Sequence, residues 1–380
     1  MDVMGCRRLG CLHHLEGREV NRYAEPNWAP LNTMIQKVVT LDTDKYTILE
    51  AVRGIINSNA IRFPKDQRYK IISERLSQLD PTPYLSRNNF TYILSYFDEA
   101  RCYDSFRAIF DFIKRIHQDA GITNIRYVAI VSDLNFLNWG TKISEYNECE
   151  IVYVSYHDKV SLFDRYNLLD VRSQSWHPKY NKVLYLCGHF LHSAQRLNSM
   201  FKIQEALGRH RVKYTLNIPE KSNTIWERSD SNYEYLSEYA TSIGDCQGIT
   251  YNSIGDQIMG GMDMPGDIYN DCVAQVLPDY SQLVLTEKIP RAMINGMPVV
   301  LRNHGVDTLD YEIYRFRDYD ELSGIIDQIK TNFKHTEEVI AHNKNLLNSR
   351  GEHLYRLLNN TFQGDLDKLI LQGKLFDHAT

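Results

Sequence analysis

The sequence predicts an α/β protein of two domains, and three observations indicate it. Continuous apolar strands alternate with amphipathic helices in both halves of the chain. A length of 380 residues exceeds one ordinary core and suits two domains. Hydrophobic residues make up 43% of the chain and charged residues 24%, as in a protein that folds throughout. We therefore expect two Rossmann-like domains facing across a cleft, with C-terminal helices packing back.

The first half of the chain has the rhythm of a βαβ unit. Helix-like apolar spacing over 47–78 opens it, and a strand over 88–97 follows. An amphipathic helix over 106–121 ends at a glycine, and two apolar strands come next, over 125–133 and 150–158. Such continuous apolar strands are typical of a buried parallel sheet.

The second half repeats this rhythm after Pro178. We predict strands over 182–188, 212–218, 273–277 and 297–305, with helices over 192–208 and 287–296. Helix-like segments from Tyr319 to Lys330 and from Thr336 to Asn359 finish the chain. We predict two domains and a C-terminal helical tail over residues 1–175, 176–345 and 346–380.

Glu287 and Lys288 form the most informative pair of residues. They fall at the start of a helix just past a strand, at the edge of an α/β sheet where ligands bind. A carboxylate there can accept hydrogen bonds from both ribose hydroxyls, and an adjacent ammonium can neutralise phosphate. The pair therefore suits a nucleoside diphosphate, although an ordinary capped helix start explains the same two residues.

The segment TEKIPRAMINGMPVVLRNHG, residues 286–305, resembles the donor-site segment of GT-B glycosyltransferases. It has glutamate and lysine at a helix start, an N-G-x-P turn and a strand that ends in a glycine loop. The segment KVLYLCGHFLHSAQRLNSMFKIQEAL is similar to the start of the second domain in those enzymes. The resemblance covers residues 182–347, and it is strongest to compact glycosyltransferases of bacteriophages and large DNA viruses.

The resemblance implies an acceptor-side domain over residues 1–175, a nucleotide-sugar donor domain over residues 176–345 and a set of donor-binding residues. Glu287 resembles the ribose-binding carboxylate, and Lys288 and Arg196 resemble the cations that hold the pyrophosphate. The other candidates are Gly188 and His189 at the end of a strand and Arg291 one helical turn after Lys288. The implied co-substrate is a nucleoside-diphosphate sugar, with a UDP-sugar first, and no other cofactor. No obligatory metal is expected, because positioned cations can stabilise the leaving diphosphate.

Two residues of the first half are candidates for the catalytic base. Asp133 closes the apolar strand YVAIVSD at a predicted sheet edge, where it could deprotonate an acceptor hydroxyl. A cap for the following helix or turn explains Asp133 as well. His157, directly after EIVYVSY, is the second candidate.

The acceptor stays open between two classes. The viral resemblance suggests a hydroxymethylated pyrimidine in phage DNA, as in DNA modification, whereas a glycan or a protein hydroxyl suits the acidic net charge of -5 better. Hexosyl and pentosyl transfer both remain open. A third alternative is a non-catalytic protein of the same fold that binds sugar nucleotides. The sequence does not indicate an oligomeric state.

Several other classes are disfavoured by the sequence. The chain lacks the phosphate-loop, dinucleotide and nucleophile-elbow motifs, which argues against a phosphate-loop ATPase, a conventional dehydrogenase and a serine hydrolase. No apolar run is long enough to span a bilayer, and residues 1–17 lack the apolar stretch of a secretory signal. Seven scattered cysteines suit reduced thiols. We therefore expect a cytoplasmic protein, in the host cytoplasm if the chain is viral, with no membrane partner.

Overall fold

The chain folds into two compact units. A computed structural model describes residues 35–40, 45–51, 66–96, 103–131, 148–189, 194–208, 211–218, 249–252, 266–278, 288–302, 310–372 and 375. Unit 1 comprises Met1–Arg18 and Tyr156–His353, and unit 2 comprises Glu19–Ser155 and Leu354–Thr380. Within the described ranges, no helix is both long enough and apolar enough to cross a membrane.

Unit 2 is built on a sheet with the strand order β1-β2-β3-β4-β5. Strand β1 is antiparallel to β2, and the remaining neighbours are parallel. The helices α1 and α2 cover the sheet with an apolar core that includes Leu76, Tyr92 and Phe106. The bounds are β1 Ile35–Thr40, β2 Tyr46–Ala51, α1 Arg68–Leu76, β3 Thr91–Tyr96, α2 Tyr103–Asp119, β4 Arg126–Val131 and β5 Cys149–Tyr153.

One predicted helix in this unit is wrong. Residues Tyr46–Ala51 form strand β2, where the sequence pattern predicted a helix. Thr47, Ile48 and Leu49 are successive residues, and each has at most 1% of its surface exposed. A strand covered on both faces shows a continuous apolar run, so it lacks the alternation that identifies a half-exposed strand.

Unit 1 is built on a parallel sheet with the strand order β11-β10-β9-β6-β7-β8. This is the order of a doubly wound, Rossmann-like sheet. The bounds are α3 Tyr156–Arg165, β6 Lys182–His189, α4 Ala194–Leu207, β7 Val212–Ile218, β8 Ile249–Asn252, β9 Cys272–Leu277, α5 Lys288–Ile294, β10 Val299–Arg302, β11 Tyr314–Phe316, α6 Leu322–Thr331 and α7 Phe333–Thr361. Helix α7 continues into unit 2 from Leu354, and unit 2 also contains α8 Leu366–Leu371. The predicted α/β class is therefore confirmed.

The helices of unit 1 bury the sheet. Helices α4 and α6 pack together, and their apolar residues join Val273, Ala274 and Val276 of β9 in one core. All six residues of β9 are buried, as expected for a central parallel strand. Two predicted glycine ends of helices are confirmed, since Gly121 and Gly208 follow α2 and α4 with φ of 67° and 86°.

The segment after β5 belongs to unit 1 from Tyr156 onward, whereas the predicted first domain extended to residue 175. Its helix α3 packs against α5. The main-chain N–H of Arg172 donates to Asn295 Oδ1 at 2.7 Å, and its guanidinium donates to the carbonyl of Gly296 at 2.8 Å. This segment is thus hydrogen-bonded to the predicted N-G-x-P turn. No helix was predicted at Tyr156–Arg165, so these contacts were not predicted either.

The C-terminal residues pack on unit 2, as predicted for the tail. The hydroxyl of Tyr46 in β2 donates to the carbonyl of Phe362 at 2.9 Å, and the guanidinium of Arg126 in β4 donates to the carbonyl of Thr361 at 2.8 Å. The rings of Tyr46 and Phe362 also meet edge to face.

A buried histidine lies in the core of unit 2. His117 is 1% exposed. Its Nε2 accepts a hydrogen bond from the main-chain N–H of Ser86 at 3.1 Å, so Nδ1 carries the proton and donates to the Tyr127 hydroxyl at 2.9 Å. Burial lowers the pKa of His117 from 6.5 to about 4. The folded chain therefore holds this imidazole neutral.

We expect the protein to lose stability as the pH falls from about 6.5 towards about 4. The unfolded chain binds a proton at His117 in this range and the folded chain does not, so acid favours unfolding. Melting temperatures between pH 7.5 and 4.5 measure the effect. His117→Gln should flatten the slope, and the same change at the exposed His177 should not. An unchanged slope in His117→Gln would contradict the prediction.

Candidate functional site

The strand order of unit 1 identifies the place at which doubly wound sheets bind their ligands. Strand order reverses at the neighbouring strands β6 and β9, so the connections after these strands lead in opposite directions. Ligands of doubly wound sheets bind in the crevice outside the carboxyl ends of such a pair. We call the carboxyl ends of β6 and β9, with the starts of α4 and α5, the switch-point edge.

Lys288 lies at the switch-point edge and contacts both central strands. Its ammonium Nζ donates to the main-chain carbonyl of Leu186 in β6 at 3.1 Å. Its own main-chain carbonyl accepts from Nε2 of Gln275 in β9 at 3.3 Å. Lys288 is 9% exposed, and a buried ammonium is costly unless it is hydrogen-bonded. A lysine ammonium at this water-poor position would act more strongly on an anion than one in bulk water.

Three further donor candidates lie on elements that begin or end at this edge. Gly188 and His189 are the last two residues of β6, and His189 pairs with Asn217 of β7. Arg196 is the third residue of α4. The side chains of His189 and Arg196 lie outside the described part of the structure. The sheet thus brings the backbones of these candidates to the edge that Lys288 occupies, and their ligand roles stay predictions.

Two predicted site residues lie outside the described residues. Glu287 immediately precedes α5, and Asp133 follows β4 by two positions. Both assignments, to the ribose and to the acceptor hydroxyl, stay predictions.

Arg291 has a described contact away from the strands. It is fully buried in α5, and its guanidinium donates to the carbonyl of Asp170 at 2.9 Å. Burial raises the pKa of the neighbouring Asp164, and the positive charges of Lys344 and Arg291 oppose that shift. Arg291 therefore ties the segment after α3 to α5, and the donor role stays a prediction beside this structural one.

His157 lies in the first turn of α3, so the prediction that a strand continues to residue 158 is wrong. Strand β5 ends at Tyr153 and α3 begins at Tyr156. His157 is fully buried, its Nδ1 lies 3.2 Å from the hydroxyl of Tyr311, and the two rings stack at 5.3 Å. Burial and then the charge of Arg350 lower its pKa to about 3. This geometry indicates packing by a neutral imidazole, and the catalytic assignment stays a prediction.

Gln275 was not among the residues predicted from the sequence. The residue is fully buried in β9, and its side chain holds the first residue of α5 through the Lys288 carbonyl. A signal was present, because Gln275 is the one polar amide in the strand CVAQVL. Buried polar side chains need hydrogen-bond partners, so such a residue marks a specific contact.

No protein-family model matches the chain, and no curated protein matches its sequence. Solved structures do show a distant likeness. One is HepE from Anabaena in complex with UDP and glucose, with 12% identity over 77% of this chain and 81% of that chain and a TM-score of 0.42. Another is a glycosyltransferase from Rickettsia africae, with 12% identity over 80% of this chain and 82% of that chain and a TM-score of 0.36.

A third similar structure is an alpha-glucosyltransferase in complex with UDP and a 13-mer DNA containing an HMU base. It shares 12% identity over 74% of this chain and 78% of that chain, with a TM-score of 0.37. At TM-scores below 0.5, this likeness assigns no function to the chain.

Proposed function

We propose that the chain is a glycosyltransferase that binds a nucleoside-diphosphate sugar, with a UDP-sugar first, at the switch-point edge. The proposal rests on Lys288. This buried lysine is hydrogen-bonded to both central strands, at the place where doubly wound sheets bind nucleotides. In the proposal, the donor lies in the crevice expected outside the carboxyl ends of β6 and β9, and the ammonium provides the charge that a diphosphate needs.

The chemistry follows from where charge develops. As the bond between the sugar and the diphosphate breaks, negative charge grows on the leaving diphosphate. A fixed ammonium in a water-poor site stabilises that charge without reorganisation. In the proposal Lys288 supplies this stabilisation together with Arg196, and Glu287 holds the ribose. Positioned cations replace a metal, so we expect turnover to persist in EDTA.

The acceptor in the proposal is a hydroxyl group. A hydroxymethylated pyrimidine in DNA and a hydroxyl of a glycan or protein are the two candidates that the sequence analysis left open. The proposed base is Asp133, which follows β4 of unit 2. The net charge of -5 favours the glycan or protein, and the viral resemblance favours DNA.

Ligand-dependent melting tests the proposal. One of UDP, GDP, ADP and CDP, or its sugar conjugate, should raise the melting temperature, because a ligand that binds only the folded state stabilises it by about 2.7 kcal/mol at a hundred times its Kd. The matching nucleoside and inorganic pyrophosphate are the controls. Release of the diphosphate in the presence of modified DNA or a glycan then identifies the acceptor.

Two results would contradict this function. If no nucleotide raises the melting temperature, the donor site is wrong. If a sugar nucleotide binds but neither hydrolysis nor transfer releases its diphosphate, the chain is a binding protein of this fold and not an enzyme.

A further inference from the structure

Gln275 is an unexpected residue in the centre of unit 1. It is the fourth residue of β9, and it is fully buried. The rest of CVAQVL consists of aliphatic residues and a cysteine. Burying an amide costs about 1–3 kcal/mol where its hydrogen bonds are not replaced, so an apolar side chain of similar size would serve packing better.

The described contacts of Gln275 do not offset the free-energy cost of burying its amide. Its Nε2 donates to the carbonyl of Lys288, whereas its Oε1 is buried and has no hydrogen-bond partner among the residues that the structure describes. An amide with one described hydrogen bond contributes little net stability. The contact with Lys288 therefore needs an explanation other than stability.

The contact fixes one end of Lys288, and β6 fixes the other. Gln275 lies opposite Leu184 of β6, and the ammonium of Lys288 bonds the carbonyl of Leu186, two residues further along that strand. The carbonyl and the ammonium of the same lysine are thus held by the two central strands. A lysine held at its main chain and at its ammonium keeps its charge in one place.

We infer that Gln275 is a positioning residue, which acts through Lys288 on the leaving diphosphate. The inference rests on the proposed function. Electrostatic stabilisation depends on donors that are already in place when charge develops, and a misplacement of about 1 Å can cost about 100-fold in rate. Gln275 fixes the main chain from which the Lys288 side chain extends.

A double-mutant cycle tests the inference. Gln275→Met keeps the length of the side chain and removes its N–H donors. We expect kcat to fall about tenfold, with the KM for the donor within about twofold and the melting temperature unchanged or higher. In the Lys288→Met background the same change should have no further effect on kcat, because the group that it positions is absent.

Gln204→Met is the matched control. Gln204 is another buried glutamine of unit 1, 5% exposed in α4. The kcat of the Gln204→Met variant should equal that of the wild type. Should the methionine variant of Gln275 not fold, Gln275→Leu, which also removes the N–H donors, should likewise lower kcat only when Lys288 is present.

Two results would overturn the inference. One is a Gln275 variant that folds and retains wild-type kcat, and the other is an equal loss of kcat with and without Lys288. A wild-type chain that binds no nucleoside diphosphate would instead refute the proposed function, so the two failures are distinguishable.

Discussion

Lys288→Met should lower kcat for sugar transfer by about 100- to 1,000-fold, the loss found when one preorganised donor to developing negative charge is removed. The ammonium bonds the carbonyl of Leu186, three residues before the end of β6, and methionine replaces it with an apolar group of similar length. Initial rates test this prediction, measured with the sugar nucleotide that raises the melting temperature of the wild type. Lys288→Arg, which keeps a charge but changes its shape, should retain part of the activity.

Lys213→Met is a matched control for this prediction. Lys213 is the second residue of β7, and its ammonium also donates to main-chain carbonyls, those of Asp267 at 3.2 Å and Asn270 at 3.4 Å. It lies at the amino end of its strand, at the edge opposite the switch-point edge. Its replacement should affect stability by about 1 kcal/mol and leave kcat unchanged. Equal losses of kcat in the two variants would refute the special role of Lys288.

Gly266→Ala should destabilise unit 1 by about 3 kcal/mol, because overpacking against the main chain has no easy relief. A Cβ at residue 266 would lie 2.1 Å from the carbonyl carbon of Val171 and 2.5 Å from the main-chain nitrogen of Arg172. Its own N–H donates to Asp170 Oδ2 at 2.9 Å, so the alanine would also strain that hydrogen bond. Amide hydrogen exchange in β6 and β9 measures the stability of this unit.

Gly324→Ala is the control for that prediction. Gly324 lies in α6, where an added Cβ would meet no atom within 4 Å. Alanine favours a helix over glycine by about 1 kcal/mol, so this variant should be more stable than the wild type. Hydrogen-exchange rates in Gly266→Ala that equal those of the wild type would contradict the prediction. They would show that the segment after α3 accommodates the added Cβ with no loss of stability.

Much of the local structure was predictable from the sequence. The strands β3, β4, β6 and β9 follow apolar runs, and α2 and α4 follow amphipathic periods. The start of α5 at Lys288 was also predicted, since the sequence there passes from a strand to a helix. The failures lie where a short element is covered on both faces or directly follows a strand, as in β2 and α3. In both places the apolar period no longer distinguishes helix from strand.

The sequence by itself determined the α/β class, most element positions and the location of Lys288 at a helix start, because apolar periods and glycine ends are local properties of the chain. Only the tertiary structure decided the strand order, which makes β6 and β9 neighbours. It also decided that Lys288 bonds Leu186, 102 residues away, and that Gln275 holds the same lysine. Such contacts depend on which strands pair in the sheet. Paired strands can lie far apart along the chain, and no local sequence pattern indicates which of them will pair.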